Sequence, residues 1–398
     1  MAIRAPNALL AGCCAAALAG AAILAGPLAA DAGSQQSGAA ANPMAGDGMW
    51  IWYVSRAGGS AERIAAKAER NGIEVVFIKS ADAGGTWSQF SPALVRGLQA
   101  RGIKVCAWQF VYGRGAKAEA AAAIRSVRRG ADCFVIDAEG HYEGRYAQAS
   151  TYMRKLRKAA GPDYPIGLSS FPYVDYHPAF PYSVFLGPGG AQYNLPQIYW
   201  KTIGTEVDTA FEHTWVFNRA YEREILPLGQ VYLSPKAKQI RRFRRLTDAH
   251  GMGGVSWWSW QHAGERQWKA VRAPVAALSG YEPYDSYPTL RPGSQGDLVA
   301  WAQQHLAGGG YLAKVSGYFT PPTKSAVLKL QGERGLSQTG AIDPVTWSAL
   351  LKLKPLAVRW TKKGAVSVSA AGGPVAMPEP RSASLPARAY EIPPGPGR

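Results

Sequence analysis

Cysteine is almost absent where a disulfide framework would need it. The 398-residue chain has four cysteines. Cys13 and Cys14 fall in an Ala/Leu-rich amino-terminal stretch, which leaves Cys106 and Cys133 in apolar, strand-like runs, where buried free thiols are expected. Histidine is equally thin. Its six copies show no HExxH and no paired-Cys spacing, which argues against a zinc peptidase or amidase, and no metal or cofactor is expected. No GxGxxG follows the first strand-like run, which removes a dinucleotide site. Beyond the leader, no apolar run reaches the roughly 18 residues that a membrane span needs. Acids are outnumbered, 27 Asp and Glu against 44 Lys and Arg, for a formal charge of +17. That excess suits solubility and an anionic envelope surface better than nucleic acid. The basic run at 241–245 keeps Ile240, Phe243 and Leu246 on one helical face and reads as the solvated side of a helix.

What is present falls into segments. Residues 1–30, with a lone Arg4, a long Ala/Leu-rich stretch and small residues at its end, read as a secretory signal peptide, so the expected location is outside the cytoplasm, in the cell wall or periplasm. Leu10-Ala-Gly-Cys13 resembles a lipoprotein cleavage box, although little apolar sequence precedes it. Residues 31–47 read as a linker. From 48 to 280, short apolar runs alternate with amphipathic stretches, the pattern of a parallel sheet with crossover helices. Eight strands are predicted, at 50–54, 75–79, 104–110, 133–137, 166–170, 197–200, 225–228 and 254–258. Eight units in this length point to a (β/α)8 barrel. A Tyr/Pro/Asp-rich linker at 281–289 leads to a small all-α domain at 290–353. The Pro/Ala/Ser/Gly-rich residues 354–398 read as a disordered tail. A monomer is expected.

The stretch FVIDAEGHYE, beginning at Phe134, starts as a buried strand and ends in carboxylates. Asp137 and Glu139 are two apart, which on a strand places both on one face, about 6–7 Å apart along the backbone. In a barrel of this kind the chemistry lies at the carboxyl ends of the strands, where this pair would sit. One carboxyl close to another and partly desolvated holds its proton toward neutral pH, as an acid catalyst must. Lys79 ends the second predicted strand and Asp82 lies just beyond it; both are candidate substrate-binding residues. Tyr199 and Trp200 in PQIYW, and Trp258 and Trp260 in SWWSW, are candidate sugar-stacking residues, while Glu143 reads as a rim charge.

Three resemblances follow from these motifs. VVFIKSADAG, KVCAWQFVYG, FVIDAE and VSWWSWQHAG are similar, in order, to strand ends of the glycoside hydrolase family 25 lysozymes. The first strand, WIWYVSRAG, offers Ser55 and Arg56 where that family has an Asp. DCFVIDAE resembles the D-x-x-D-x-D-x-E strand of family 18 chitinases, with Val135 in place of one acid. That resemblance implies Glu139 as the proton donor, Asp137 as the residue steadying the substrate's own N-acetyl group, and Tyr199 as a phenol on the N-acetyl carbonyl. LRPGSQGDLVAWAQQHL and SGYFTPPTKSAVLKLQGERGLSQTGAIDPVTWSAL resemble the peptidoglycan-binding repeat, with Gly293, Gly296, Gln303, Gln331, Thr346 and Trp347 at its motif positions and Ser316 replacing the usual Asp. Together they imply a secreted hydrolase of an N-acetylated wall glycan with peptidoglycan as partner. The alternative is a non-catalytic wall-binding or scaffold protein with a degenerate barrel.

Overall fold

A computed structural model of the chain describes residues 42–361 and 364–367; the leader and most of the tail lie outside them. Eight parallel strands close into a barrel. They are β1 (Gly46–Ile51), β2 (Val75–Asp82), β3 (Lys104–Val111), β4 (Cys133–Ala138), β5 (Ile166–Ser170), β6 (Tyr193–Ile198), β7 (Leu228–Gln230) and β8 (Gly254–Trp258). Each pairs with the next, and β1 pairs with both β2 and β8. The helices around it are α1 (Ala61–Arg70), α2 (Pro92–Gln99), α3 (Ala116–Val127), α4 (Tyr146–Ala160), α5 (Tyr182–Phe185), α6 (Trp200–Ile203), α7 (Val207–Asn218), α8 (Ala237–Ala249) and α9 (Glu265–Arg272). Among the described residues no helix is long and apolar enough to cross a membrane.

Strand alternation sorts the core into two layers. Met49, Val76, Ile78, Val105, Phe134 and Ile136 point outward into the helix layer. Trp50, Phe77, Cys106, Trp108, Cys133, Val135 and Leu195 fill the barrel. The free-thiol expectation is corrected here: Cys106 and Cys133 are disulfide-bonded. They are direct partners across β3 and β4 and both face inward, with Cα atoms 4.5 Å apart. Two apolar strand runs conceal such a pairing until their register is known.

Two strands sit earlier than their apolar runs suggest. Strand β1 begins at Gly46 and takes in Gly48, where a Cβ would lie 2.7 Å from Phe77 and 3.1 Å from Ser256, so only glycine fits this close approach within the sheet. Strand β6 runs through Pro196 and stops at Ile198; Trp200 already belongs to α6.

Three helices, α10 (Asp297–Gly308), α11 (Pro321–Glu333) and α12 (Pro344–Leu350), form the small domain. Two buried glutamines tie it together in the same way. Gln303 accepts from the backbone N–H groups of Ser316 and Gly317 and donates to Thr323. Gln331 accepts from the N–H of Gly340 and donates to Thr346. Gly317 and Gly340 both have positive φ, 75° and 69°, so each loop turns where glycine is favoured. Ser316 keeps its loop anchored although the motif's usual Asp is missing.

Helix α10 belongs equally to the barrel. All its residues from Asp297 to Leu306 are buried. The Asp297 carboxylate accepts from the N–H and hydroxyl of Ser183 at 2.8 and 2.7 Å and from the Tyr221 hydroxyl at 2.9 Å. The Trp301 indole donates to the Ala220 carbonyl at 2.6 Å. The connecting segment is also held down: Tyr281 bonds Glu212, Arg219 pairs with Asp285, and Arg219 lies over the Tyr287 ring at 4.4 Å. A final hairpin, β9 (Val358–Thr361) with β10 (Gly364–Ser367), lies against α4, where Trp360 packs on Tyr146 at 4.6 Å.

Candidate active site

The carboxyl ends of β2, β4, β6 and β8 converge at one mouth of the barrel. Asp137 and Glu139 sit at the end of β4, 2% and 9% exposed. One amide joins them: Gln197 Nε2 on β6 donates to Asp137 Oδ1 and to Glu139 Oε1, each at 3.0 Å, and lies 3.3 Å from Ser169 Oγ. Burial pushes the Glu139 carboxyl up to about 7, with the Gln197 hydrogen bond and the Lys79 charge opposing. Burial first, and the Glu139 charge second, raise Asp137 well above the usual carboxylate range. The pair therefore retains a proton near neutral pH, and Glu139 is its more exposed member.

Lys79, only 1% exposed, points into the same space. Its Nζ pairs with Asp82 Oδ2 at 2.7 Å and is ringed by Trp52, Trp108 and Trp87 at 4.2, 4.6 and 5.0 Å from the ring centroids. Burial lowers its pKa, while Asp82, Asp137 and Glu139 act to keep it charged. Asp82 reaches Lys79 through a bulge. The ladder slips between Lys79 and Ala81, so Lys79 pairs with Trp108 and Asp82 with Phe110; in an unbulged strand, a residue three positions after Lys79 would face away from it. Tyr112 donates to the other Asp82 oxygen at 3.2 Å.

Tyr199 lies at the end of β6. Burial, Tyr232 and the charges of Asp137 and Glu139 all hold its phenol protonated, so it is a hydrogen-bond donor at any ordinary pH. Trp258 stands in the inner cluster, 5.5 Å from Trp108 and 5.6 Å from Trp52.

Two predicted stacking residues are elsewhere. Trp200 is 0% exposed and packs on Phe243 of α8 at 5.3 Å, because β6 ends before it and α6 turns it into the helix layer. Trp260, 3% exposed, packs on Trp268 of α9 at 5.1 Å with Lys67 over its ring. Neither offers a face to a ligand in the mouth. Glu143 pairs with His177 at 2.7 Å on the rim. No acid follows β1; its one carboxylate, Asp47, is near the strand's start beside Arg244.

Sequence reasoning passed over Gln197, Trp52, Trp87 and Trp108. Gln197 carried a usable signal, lying two residues before Tyr199 and hence on the same strand face. The tryptophans carried none that separates mouth from core. Among the described residues no group of His, Cys, Asp and Glu is arranged to hold a metal ion.

No curated protein matches the chain. Solved structures similar to it include a chitinase from Chromobacterium violaceum ATCC 12472, at 13% identity over 57% of this chain and 98% of that one, TM-score 0.42. The spore cortex-lytic enzyme SleL of Bacillus cereus is similar at 10% identity over 59% and 76%, TM-score 0.44. Chitinase ChiC of Aspergillus fumigatus is similar at 14% identity over 56% and 95%, TM-score 0.42. Residues 295–350, spanning α10 to α12, match the peptidoglycan binding domain family PG_binding_1.

Proposed function

We propose that the chain is an exported cell-wall glycoside hydrolase acting on an N-acetylated glycan, with peptidoglycan as the substrate to which its carboxyl-terminal domain directs it. The observation that carries this reading is the Asp137–Gln197–Glu139 cluster at the barrel mouth, two buried carboxyls bridged by one amide with a proton retained near pH 7. Glu139 protonates the glycosidic oxygen as the bond to the anomeric carbon breaks. Asp137 steadies the N-acetyl group as its carbonyl oxygen attacks that carbon, and the Tyr199 hydroxyl stabilises the charge developing on it. Water then adds at the anomeric carbon as the bond to the N-acetyl oxygen breaks, and gives its proton to Glu139. Trp52 and Trp258 form the apolar wall beside the ring. The match at 295–350 supports wall attachment, and a disulfide inside the barrel suits an oxidising compartment.

The likeness to family 25 rests on the strand motifs alone, and the β4 acids follow the chitinase pattern more fully. A second reading, a wall-binding protein without turnover, is favoured by two observations: Asp137 and Lys79 are almost completely covered, and no acid follows β1. One experiment separates them. Purified mature protein is incubated with isolated cell walls and the released sugars are analysed; wild type releases reducing ends, and Glu139→Gln, which keeps the shape but delivers no proton, releases none while still sedimenting with the walls. Equal release by both would remove Glu139 from the acid role, and no release by wild type would favour the binding protein.

A further inference from the structure

On the outer wall of the barrel, two cavities flank the carboxyl-terminal hairpin where it lies on α4. One, of about 540 Å3, lies between the start of α3, α4 and β9. The other, of about 600 Å3, lies between the later turns of α4, Val184 and β9. Arg154 and Arg359 line both, so the two form one stripe along α4, whose 15 residues span roughly 22 Å at 1.5 Å per residue.

The stripe is cationic from end to end. Arg114 and Lys117 stand at one end, Arg154 and Arg359 in the middle and Lys158 at the other; all five are exposed. None of the five is ion-paired among the described residues, and α4 itself, YAQASTYMRKLRKAA, contains no acid. Arg157 differs, since its guanidinium is consumed by the carbonyls of Gly161, Pro162, Tyr164 and Gly190, with Asp163 nearby. Five like charges along two connected hollows repel one another, and a polyanion laid along them relieves that repulsion and releases its own counterions.

We propose that this stripe binds an anionic glycan, a linear saccharide polymer carrying carboxylates or phosphates at intervals, on the outer wall of the barrel. Each hollow has the volume of a small-molecule site, and arginine forks suit either oxyanion. Single-stranded nucleic acid fits poorly. Its bases need free aromatic faces, whereas Trp360 and Tyr146 are packed on each other and are each 3% exposed.

The test uses the full mature chain and four probes: polygalacturonate for carboxylate, poly(glycerol phosphate) for phosphate, dextran as the neutral glycan, and oligothymidylate. Binding is measured by calorimetry at low and raised salt. At least one polyanionic glycan binds with salt-sensitive affinity, dextran does not bind, and the double variant Arg154→Ala/Arg359→Ala weakens the interaction roughly tenfold or more. A control pair of exposed cations on α8, Lys238→Ala/Arg241→Ala, changes affinity less than about twofold if the stripe is the site. Which of the two charged glycans binds identifies the oxyanion. The proposal is overturned if neither binds, if dextran binds equally, if the α8 pair weakens binding as much, or if oligothymidylate binds most tightly and loses affinity in the stripe variant.

Discussion

Glu139 and Asp137 share one donor, Gln197, and that shared contact governs how their protonation answers substitution. If Glu139 acts as the acid, activity falls as pH rises through about 7, where its carboxyl loses the proton. The Gln197 amide favours the charged form of both carboxyls. In Gln197→Ala that support is gone, so the alkaline limb of the rate profile shifts to higher pH; an unmoved limb would show that the amide only positions the pair. Stability follows from the same group. In the fold Glu139 holds its proton up to about 7, against an ordinary 4.5, so between those values the unfolded chain binds fewer protons and stability falls as pH rises. Glu139→Gln lacks this contribution, and its melting temperature relative to wild type climbs between about pH 4.5 and about pH 7, readable by circular dichroism. The pair was legible because two-residue spacing on a strand leaves little choice of face. Asp82 was named from its place just after the second apolar run, but its inward direction depends on a bulge at Ser80 that sequence pattern does not mark, and Trp200 and Trp260 were misread because β6 and β8 end just before them.

Helix α10 has two partners. Its Gln303 face belongs to the small domain, while Asp297 and Trp301 belong to the barrel. Asp297→Ala orphans the Ser183 N–H, the Ser183 hydroxyl and the Tyr221 hydroxyl in a fully buried setting, and we expect a loss on the order of 3 kcal/mol in denaturant unfolding. Gly296→Ala is also disruptive: φ is +111°, and a Cβ would lie 2.6–3.0 Å from Pro178 of the barrel. Tyr318→Ala, at a 36% exposed loop position, should change stability by about 0.5 kcal/mol or less, which separates docking from surface effects. The sequence displayed this helix as a repeat motif, and Gly296 as one of its motif glycines. Its second duty had a faint sign, DLVAWAQQHL being apolar on more than one face, which marks a helix enclosed on all sides.

At the scale of the molecule, the barrel and the small domain are joined by α10, by the pinned segment from Tyr281 to Tyr287 and by the indole of Trp347, which donates to the Pro288 carbonyl at 2.7 Å. Calorimetry should therefore record one unfolding transition for both, with calorimetric and van't Hoff enthalpies in agreement; two separable peaks would mean that the docking contributes little. The order of elements and the closure of the barrel were readable from the alternation of apolar runs, whereas the joining of the two parts was not, because the Pro/Tyr/Asp composition of 281–289 resembles that of a free tether. If the chain cleaves wall glycan as proposed, the shared helix changes what attachment to the wall means for that cleavage. A flexible tether would let the mouth sample many bonds around one anchoring point, but a fixed joint works as a caliper, with one jaw on the glycan and the other at a constant stride from it. Digestion of long wall strands should then yield fragments clustered about a preferred length, and loosening the joint with Asp297→Ala should broaden that distribution.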